Sequence, residues 1–260
     1  MNKKYIFMDV DGTILDHSIK GVRESTKKAL KIMQDKGYDL YICTGRNYPT
    51  AKYDLGIEPK GYVLSMGALV RTDDKILYQN PFDEKLVKKI LAEAPKYDIE
   101  LNLETEVYCY ATKETYDYVQ EFFDELTKEY WIPFELYKNE KIYKMMISGH
   151  SQEGYDNFKK LFSEKMQFQN SGRKWYDEMQ LIDNSKGSAI KKLAQLGYIN
   201  LKDTVVIGDG LNDISMFNIG AYSIAMGNAE KELKNCADYV TDDITTDGFY
   251  KAFEKLGYLD

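Results

Sequence analysis

Residues 4–13, Lys4-Tyr5-Ile6-Phe7-Met8-Asp9-Val10-Asp11-Gly12-Thr13, decide how this chain folds. A short apolar run breaks into two aspartates and a Gly-Thr turn, the pattern of a buried strand that stops at a sheet edge. Residues 22–37 then set Ala29, Leu30, Ile32 and Met33 on one helical stripe and close on Gly37, a residue suited to a helix C-cap. Residues 38–46, YDLYICTGR, repeat the first pattern of apolar strand and small polar turn. Strand, crossover helix and strand predict a right-handed parallel unit. Residues 62–65 (YVLS) add a strand, and residues 68–80 (ALVRTDDKILYQN) read as a hairpin turning at Asp73 and Asp74.

From about Pro81 the texture changes. Amphipathic helices at 82–94, 112–130 and 151–165 alternate with tyrosine-rich strands at 101–110 and 141–148, and strand-like runs at 166–170 and 173–183 follow. At about Asn184 the first texture returns: helices at 185–197, 212–220 and 229–237 alternate with strands at 204–210, 222–227 and 239–240. The expectation is an α/β protein with a Rossmann-like parallel-sheet core made of residues 1–80 and 184–260. Residues 81–183 are expected to form an inserted α+β domain. No internal repeat or low-complexity tract interrupts this order.

The 260 residues are 43% hydrophobic and 30% charged, enough for a real core in one or two domains. No stretch approaches the roughly 20 apolar residues of a membrane span, and an aspartate stands where a signal peptide needs its apolar centre. A cytoplasmic protein, monomer or homodimer, is expected. The net charge of −7 argues against nucleic acid as a partner. Cys43, Cys109 and Cys236 are odd in number and widely spaced, which predicts buried, reduced thiols.

Two strands end in clustered aspartates: Asp9 and Asp11 in one, and Asp209 and Asp213 of Gly208-Asp209-Gly210-Leu211-Asn212-Asp213 in the other. The carboxyl ends of strands in an open parallel sheet form its ligand crevice. If the strands are neighbours, the four carboxylates converge and repel unless a hard cation lies among them, with Mg²⁺ the natural candidate. The alternative is that each aspartate caps its own turn or helix. Thr44 and Gly45 end another strand and offer a hydroxyl and a backbone N–H to an anion. Lys186 opens a helix, where its charge opposes the dipole unless a phosphate or carboxylate is near.

The four stretches DVDGT at Asp9, CTGR with Thr44, NSKG with Lys186 and GDGLND at Asp209 resemble the ordered motifs of the haloacid dehalogenase superfamily of phosphohydrolases. The closing DGFYKAFEKLG, residues 247–257, resembles the Cof-type (class IIB) subgroup, whose members carry a cap between the second and third motifs. At Met66-Gly67-Ala68 the chain departs from the Asn-Gly-Ala common in that subgroup, which removes a polar side chain near the crevice.

The resemblance implies a magnesium-dependent phosphatase of small phosphorylated metabolites, with Asp9 as nucleophile and Asp11 as general acid and base. It further implies a metal site formed by the carboxylates of Asp9 and Asp209, the backbone carbonyl of Asp11 and Gly210, with Asp213 orienting ligands or Lys186. Val10, Thr44, Gly45, Lys186 and Asn212 would hold the phosphoryl oxygens. The insert would set specificity. Arg46, Asn47 and His17 are weaker candidates for leaving-group contacts, whereas Tyr118, Phe122 and Phe123 read as helix core. The rival readings are a phosphomutase of the same superfamily, a non-catalytic phosphate or nucleotide sensor, and a response-regulator receiver domain.

Overall fold

The computed structural model describes residues 4–52, 54–122, 125–170 and 173–260. The chain divides into two compact units. One comprises the chain up to Gly45, Ala51–Gln79 and Ser185–Asp260; the other comprises Arg46–Thr50 and Asn80–Asn184.

The first unit begins with β1 (Tyr5–Met8), α1 (Glu24–Asp35), β2 (Asp39–Cys43), β3 (Gly61–Leu64), β4 (Leu69–Arg71) and β5 (Ile76–Gln79). The second runs α2 (Glu84–Glu93), β6 (Ile99–Glu104), β7 (Cys109–Ala111), α3 (Lys113–Phe122), α4 (Glu125–Glu129), β8 (Trp131–Pro133), β9 (Lys144–Gly149), α5 (Gln152–Phe162), β10 (Met166–Asn170) and β11 (Tyr176–Leu181). The first then resumes with α6 (Lys186–Gln195), β12 (Thr204–Gly208), α7 (Ile214–Phe217), β13 (Tyr222–Ala225), α8 (Lys231–Cys236), β14 (Tyr239–Val240) and α9 (Gly248–Lys255).

The eight-stranded sheet of the first unit has the order β14-β13-β12-β1-β2-β3-β4-β5. It is parallel from β14 to β3 and antiparallel across β4 and β5. A parallel sheet is covered on both faces, so its central strands read as continuous apolar runs rather than alternating ones. Accordingly Ile6, Phe7 and Met8 of β1 and Val205, Val206 and Ile207 of β12 are all fully buried. Helix α1 buries Thr26, Ala29, Leu30 and Met33, the stripe that the spacing predicts, with Ile32 half-buried at its margin. Register then fixes the active edge: Met8 pairs with Ile42 on one side and Ile207 on the other. Asp9, Thr44 and Asp209 therefore leave the sheet at neighbouring carboxyl ends.

The second unit is a six-stranded sheet ordered β8-β7-β6-β9-β11-β10. Its pairings are antiparallel except between β8 and β7. Alternation along each strand separates two faces. Ile99, Leu101, Leu103, Met145, Ile147 and Met179 pack with Leu86, Val87 and Ile90 of α2 and Phe158 and Phe162 of α5 in one apolar core. The two ends of the insert are tied together, since Asn80 Nδ2 donates to Asn184 Oδ1 at 2.8 Å and Asn184 Nδ2 donates to the Asn80 carbonyl at 3.1 Å.

Two expectations need correction. Tyr118 is 41% exposed rather than core, because it lies on the outer side of α3 with the Arg173 guanidinium 5.5 Å from its ring centre. The side chain of Phe122 and residue Phe123 lie outside the described residues. Cys43 and Cys109 are buried free thiols, but Cys236 is exposed, since it closes the six-residue α8, which buries only Leu233.

Both tryptophans, Trp131 and Trp175, belong to the second unit and report on it selectively. Phe158→Ala, which empties a fully buried ring position, is expected to destabilise that unit by about 3–5 kcal/mol. Urea titration followed by tryptophan emission checks this as a lowered midpoint with retained secondary structure.

Candidate active site

Lys186 is the first residue of α6, whose N-cap Ser185 exchanges hydrogen bonds with Ser188. It is 1% exposed, and its Nζ lies 2.6 Å from Asp9 Oδ1 and 2.6 Å from Asp213 Oδ1. A lysine at a helix N-terminus opposes the dipole. Here two carboxylates offset that penalty. The other oxygen of Asp213, Oδ2, accepts the backbone N–H groups of Asp209 and Gly210, each at 3.0 Å. Asp213 thus fixes both the lysine and the loop that carries Asp209.

The Asp9 turn is built to hold Asp209 as well. The Val10 carbonyl accepts N–H groups from Thr13, Ile14 and Leu15 at 3.2, 2.9 and 2.8 Å, which curls the chain tightly after β1. That curl directs the Thr13 hydroxyl to Asp209 Oδ1 at 2.9 Å. Gly12 has φ +85°, and a Cβ there would come within 2.2 Å of Asp209 Oδ2. Glycine at position 12 is required on both counts. Asn228 closes the same turn by donating to the Gly12 carbonyl at 2.8 Å while its Oδ1 accepts the Ile244 N–H at 3.0 Å.

Asp9, Asp209 and Asp213 place carboxylate oxygens within 4.8 Å of one another. The Asp11 carboxylate is partly exposed, with Oδ1 3.3 Å from His17 Nε2. Thr44 is 1% exposed, and its N–H donates to the Val63 carbonyl at 2.8 Å, anchoring the Thr44-Gly45 turn to the sheet. Asn212 donates through Nδ2 to the Met66 sulfur at 3.7 Å. Met66 reaches it from a left-handed turn in which Ser65, Met66 and Gly67 have φ of 46°, 56° and 92°. Gly67 is indispensable there, since a Cβ would come 2.1 Å from the Ser185 carbonyl oxygen.

Asn47 is not available to a ligand. Its Nδ2 donates to the Val107 carbonyl at 2.8 Å and its Oδ1 accepts the Thr50 hydroxyl at 2.5 Å, so it pins the 46–50 loop within the second unit. His150 is 3.3 Å from Glu100 in that unit.

Burial acts to lower the Lys186 pKa, but the neighbouring charges of Asp213 and Asp9 outweigh it and keep the ammonium protonated. One ammonium cannot neutralise three carboxylates. Asp9 is therefore pushed well above the usual carboxylate range by burial and by Asp213, against the pull of Lys186. Asp209 is pushed up to about 6 by burial and by Asp213, with the Thr13 hydrogen bond acting the other way. With all three carboxyls ionised the group would carry an excess of two negative charges on crowded hard oxygen donors. That donor chemistry fits a divalent hard cation, which Asp9 and Asp209 could hold.

Sequence reasoning placed Met66 near the crevice, where its sulfur meets Asn212, but missed Gly12, Thr13 and Asn228 as parts of this site. The first two were legible in principle, because a Gly-Thr pair straight after clustered aspartates needs a left-handed turn and a hydroxyl donor. Asn228 carries no local signal.

An α/β sheet with a lysine-braced carboxylate cluster at the ends of its central strands defines an enzyme with a polar, cation-fitted crevice. Residues 6–253 match the haloacid dehalogenase-like hydrolase family, and the chain belongs to it. A relative called putative phosphatase YkrA, from Bacillus subtilis (strain 168), is 30% identical over 266 residues and is aligned over 100% of both chains. Among solved structures, a protein from Geobacillus kaustophilus HTA426 has a TM-score of 0.84 at 25% identity, covering 98% of this chain and 99% of its own. The subclass IIB sugar phosphatase BT4131 has a TM-score of 0.79 at 25% identity, with the same coverage.

The raised Asp209 pKa fixes the sign of a pH effect. A carboxyl whose folded value lies above its unfolded value favours folding while protonated and disfavours it as pH rises from about 4 to about 6. A cation replaces that proton. Added Mg²⁺ is therefore expected to raise the thermal midpoint of the metal-free protein more at pH 7.5 than at pH 5, as read by differential scanning calorimetry.

Proposed function

We propose that this chain is a cytoplasmic, magnesium-dependent phosphatase that hydrolyses small phosphorylated metabolites through an aspartyl-phosphate on Asp9. The coarse statement, a hydrolase acting on phosphate monoesters within subclass IIB, follows from family membership and from relatives named as phosphatases. Asp9 as the reacting group is supported by one observation above all: of the two buried carboxylates that Lys186 holds, Asp213 is also taken up by the Asp209 and Gly210 N–H groups, whereas Asp9 stands at the end of β1 beside Asp209.

Asp9 attacks phosphorus as the ester oxygen departs, and Asp11 supplies the proton that the leaving alcohol needs. The partial exposure of the Asp11 carboxylate suits a group that must exchange protons with solvent. Asp11 then takes a proton from the water that opens the aspartyl-phosphate. His17, at 3.3 Å, orients its carboxylate. Lys186, Thr44, the Val10 and Gly45 N–H groups and Asn212 hold the phosphoryl oxygens as charge develops on them. Asp9, Asp209, the Asp11 carbonyl and Gly210 hold the metal ion, and Asp213 fixes their loop. The ion supplies charge neutralisation that lets an anionic nucleophile meet an anionic phosphate.

The second unit serves as the cap that selects the leaving group. Chain continuity supports this. The peptide leaves Thr44-Gly45 straight into the 46–50 loop, where the Tyr48 N–H donates to the Glu106 carbonyl at 3.1 Å, and it leaves Asn184 straight into Ser185-Lys186. Two phosphate-binding stretches are thus covalent neighbours of this unit.

Asp9→Asn is expected to abolish release of inorganic phosphate from p-nitrophenyl phosphate with Mg²⁺ while leaving the circular dichroism unchanged. Asp11→Asn is expected to lower turnover by about 10² to 10⁴. Undiminished turnover in metal-replete Asp9→Asn sinks the assignment, and release that depends on a sugar bisphosphate would favour a phosphomutase.

A further inference from the structure

The Asp-Gly pair that opens residues 247–257 lies far along the chain from the Asp9 turn, yet a short run of contacts joins it to both carboxylate loops of the first unit. The link is the turn after β13, residues 226–230. Its Glu230 N–H donates to the Asp209 carbonyl at 2.9 Å, and its Met226 N–H donates to the Gly208 carbonyl at 3.0 Å. From the same turn Asn228 Nδ2 donates to the Gly12 carbonyl at 2.8 Å, across 216 positions of sequence. One turn therefore grips the Asp209 loop and the Asp9 turn together.

That turn is seated on the residues ahead of α9. Asn228 Oδ1 accepts the Ile244 N–H at 3.0 Å, and the Gly227 N–H donates to the Asp242 carbonyl at 2.9 Å. The loop folds back on itself closely, since a Cβ at Gly248 would come 1.9 Å from the Asp242 carbonyl oxygen. Asp247, at φ 63°, is the N-cap of α9, and its carboxylate accepts the Ser25 hydroxyl of α1 at 2.6 Å. The Asp-Gly pair thus shapes the seat on which Asn228 rests. Asn228 itself is exposed, so its removal empties no core.

The grip controls the peptide between Gly12 and Thr13. Bonds within the turn after β1 run to the Val10 and Leu15 carbonyls, whereas the Gly12 carbonyl is taken by Asn228. A glycine at φ +85° resists rotation little, so the orientation of this peptide needs an outside partner. Its far end carries Thr13, whose hydroxyl holds Asp209 Oδ1. We propose that Asn228 is a positioning residue for the cation site: by holding the Gly12 carbonyl while its own turn holds the Asp209 backbone, it sets the spacing of Asp9 and Asp209 and thereby the affinity for a divalent cation. The proposal rests on the reading of those two carboxylates as the cation's ligands. Groups that orient metal ligands without touching the ion change its affinity by about 10- to 100-fold.

The test is isothermal titration calorimetry of Mg²⁺ into the metal-free whole chain, with no substrate present. Asn228→Ala is expected to weaken binding by about tenfold. Thr13→Val removes the bond to Asp209 and is expected to weaken binding similarly. The double variant is expected to lose much less than the product of the two, because both changes act on one peptide. Asn228→Asp keeps the acceptor for the Ile244 N–H and adds a negative charge, which alone would strengthen cation binding. It is nonetheless expected to weaken binding, since the donor to Gly12 is gone, and it keeps the test open if the alanine variant misfolds. A merely structural asparagine would lower the thermal midpoint of the metal-free protein without moving the affinity of the folded fraction. Unchanged or tighter binding in either Asn228 variant, or losses that multiply in the double variant, overturns the proposal. A wild type that binds no Mg²⁺ strikes instead at the cation reading of Asp9 and Asp209.

Discussion

The lysine ammonium buried between Asp9 and Asp213 is the interaction on which the first unit turns. Neither side could be buried alone. An uncompensated charge of this kind costs about 3–5 kcal/mol when its partner is removed, so each member forces the others into place. Lys186 comes from the start of α6, Asp9 from the end of β1, and Asp213 from the turn after β12. Three segments separated by much of the chain are locked at one edge of the sheet. The same Asp213 carboxylate takes two backbone N–H groups of the Asp209 loop, so the brace extends from side chains into the backbone.

That brace leaves a deficit, and the deficit is what makes the site chemical. Lys186 balances one carboxylate of three. The remainder is expressed in the raised values of Asp9 and Asp209, a state of stored repulsion that a divalent cation relieves. Thr13 and Gly12 serve the same end from the other side: one donates to Asp209, and the other makes room for its second oxygen. The site is thus organised for a cation and an anionic ligand together, in agreement with the family to which the chain belongs.

The second unit follows different rules. Its sheet is mixed, its apolar face is closed by α2 and α5, and its other face holds buried charge. Polar residues on that face are not a solvated surface, since Glu104, Lys144 and Gln180 are more than nine-tenths buried. The Met66 turn offers a parallel in the first unit, where consecutive left-handed residues carry a thioether to Asn212. Strained groups of this kind persist where surrounding structure holds them, and they gather at functional places.

The sequence by itself determined the parallel core, the insert and the carboxylate loops, because each rests on local signals. Continuous apolar runs such as YIFM and TVVIG specify buried strands, a 3.6-residue stripe specifies α1, and aspartates straight after such runs must lie at strand ends. Adjacency and burial were decided only by the tertiary structure. No local pattern states that β1 lies between β2 and β12, that Lys186 is enclosed rather than on the surface, or that Asn47 is consumed in holding its own loop. Nor does the sequence of residues 226–230 mark Asn228 as the amide that meets Gly12. These outcomes depend on which partners residues far apart in sequence bring to one another. A charge or an amide gains its role from those partners rather than from its neighbours along the chain.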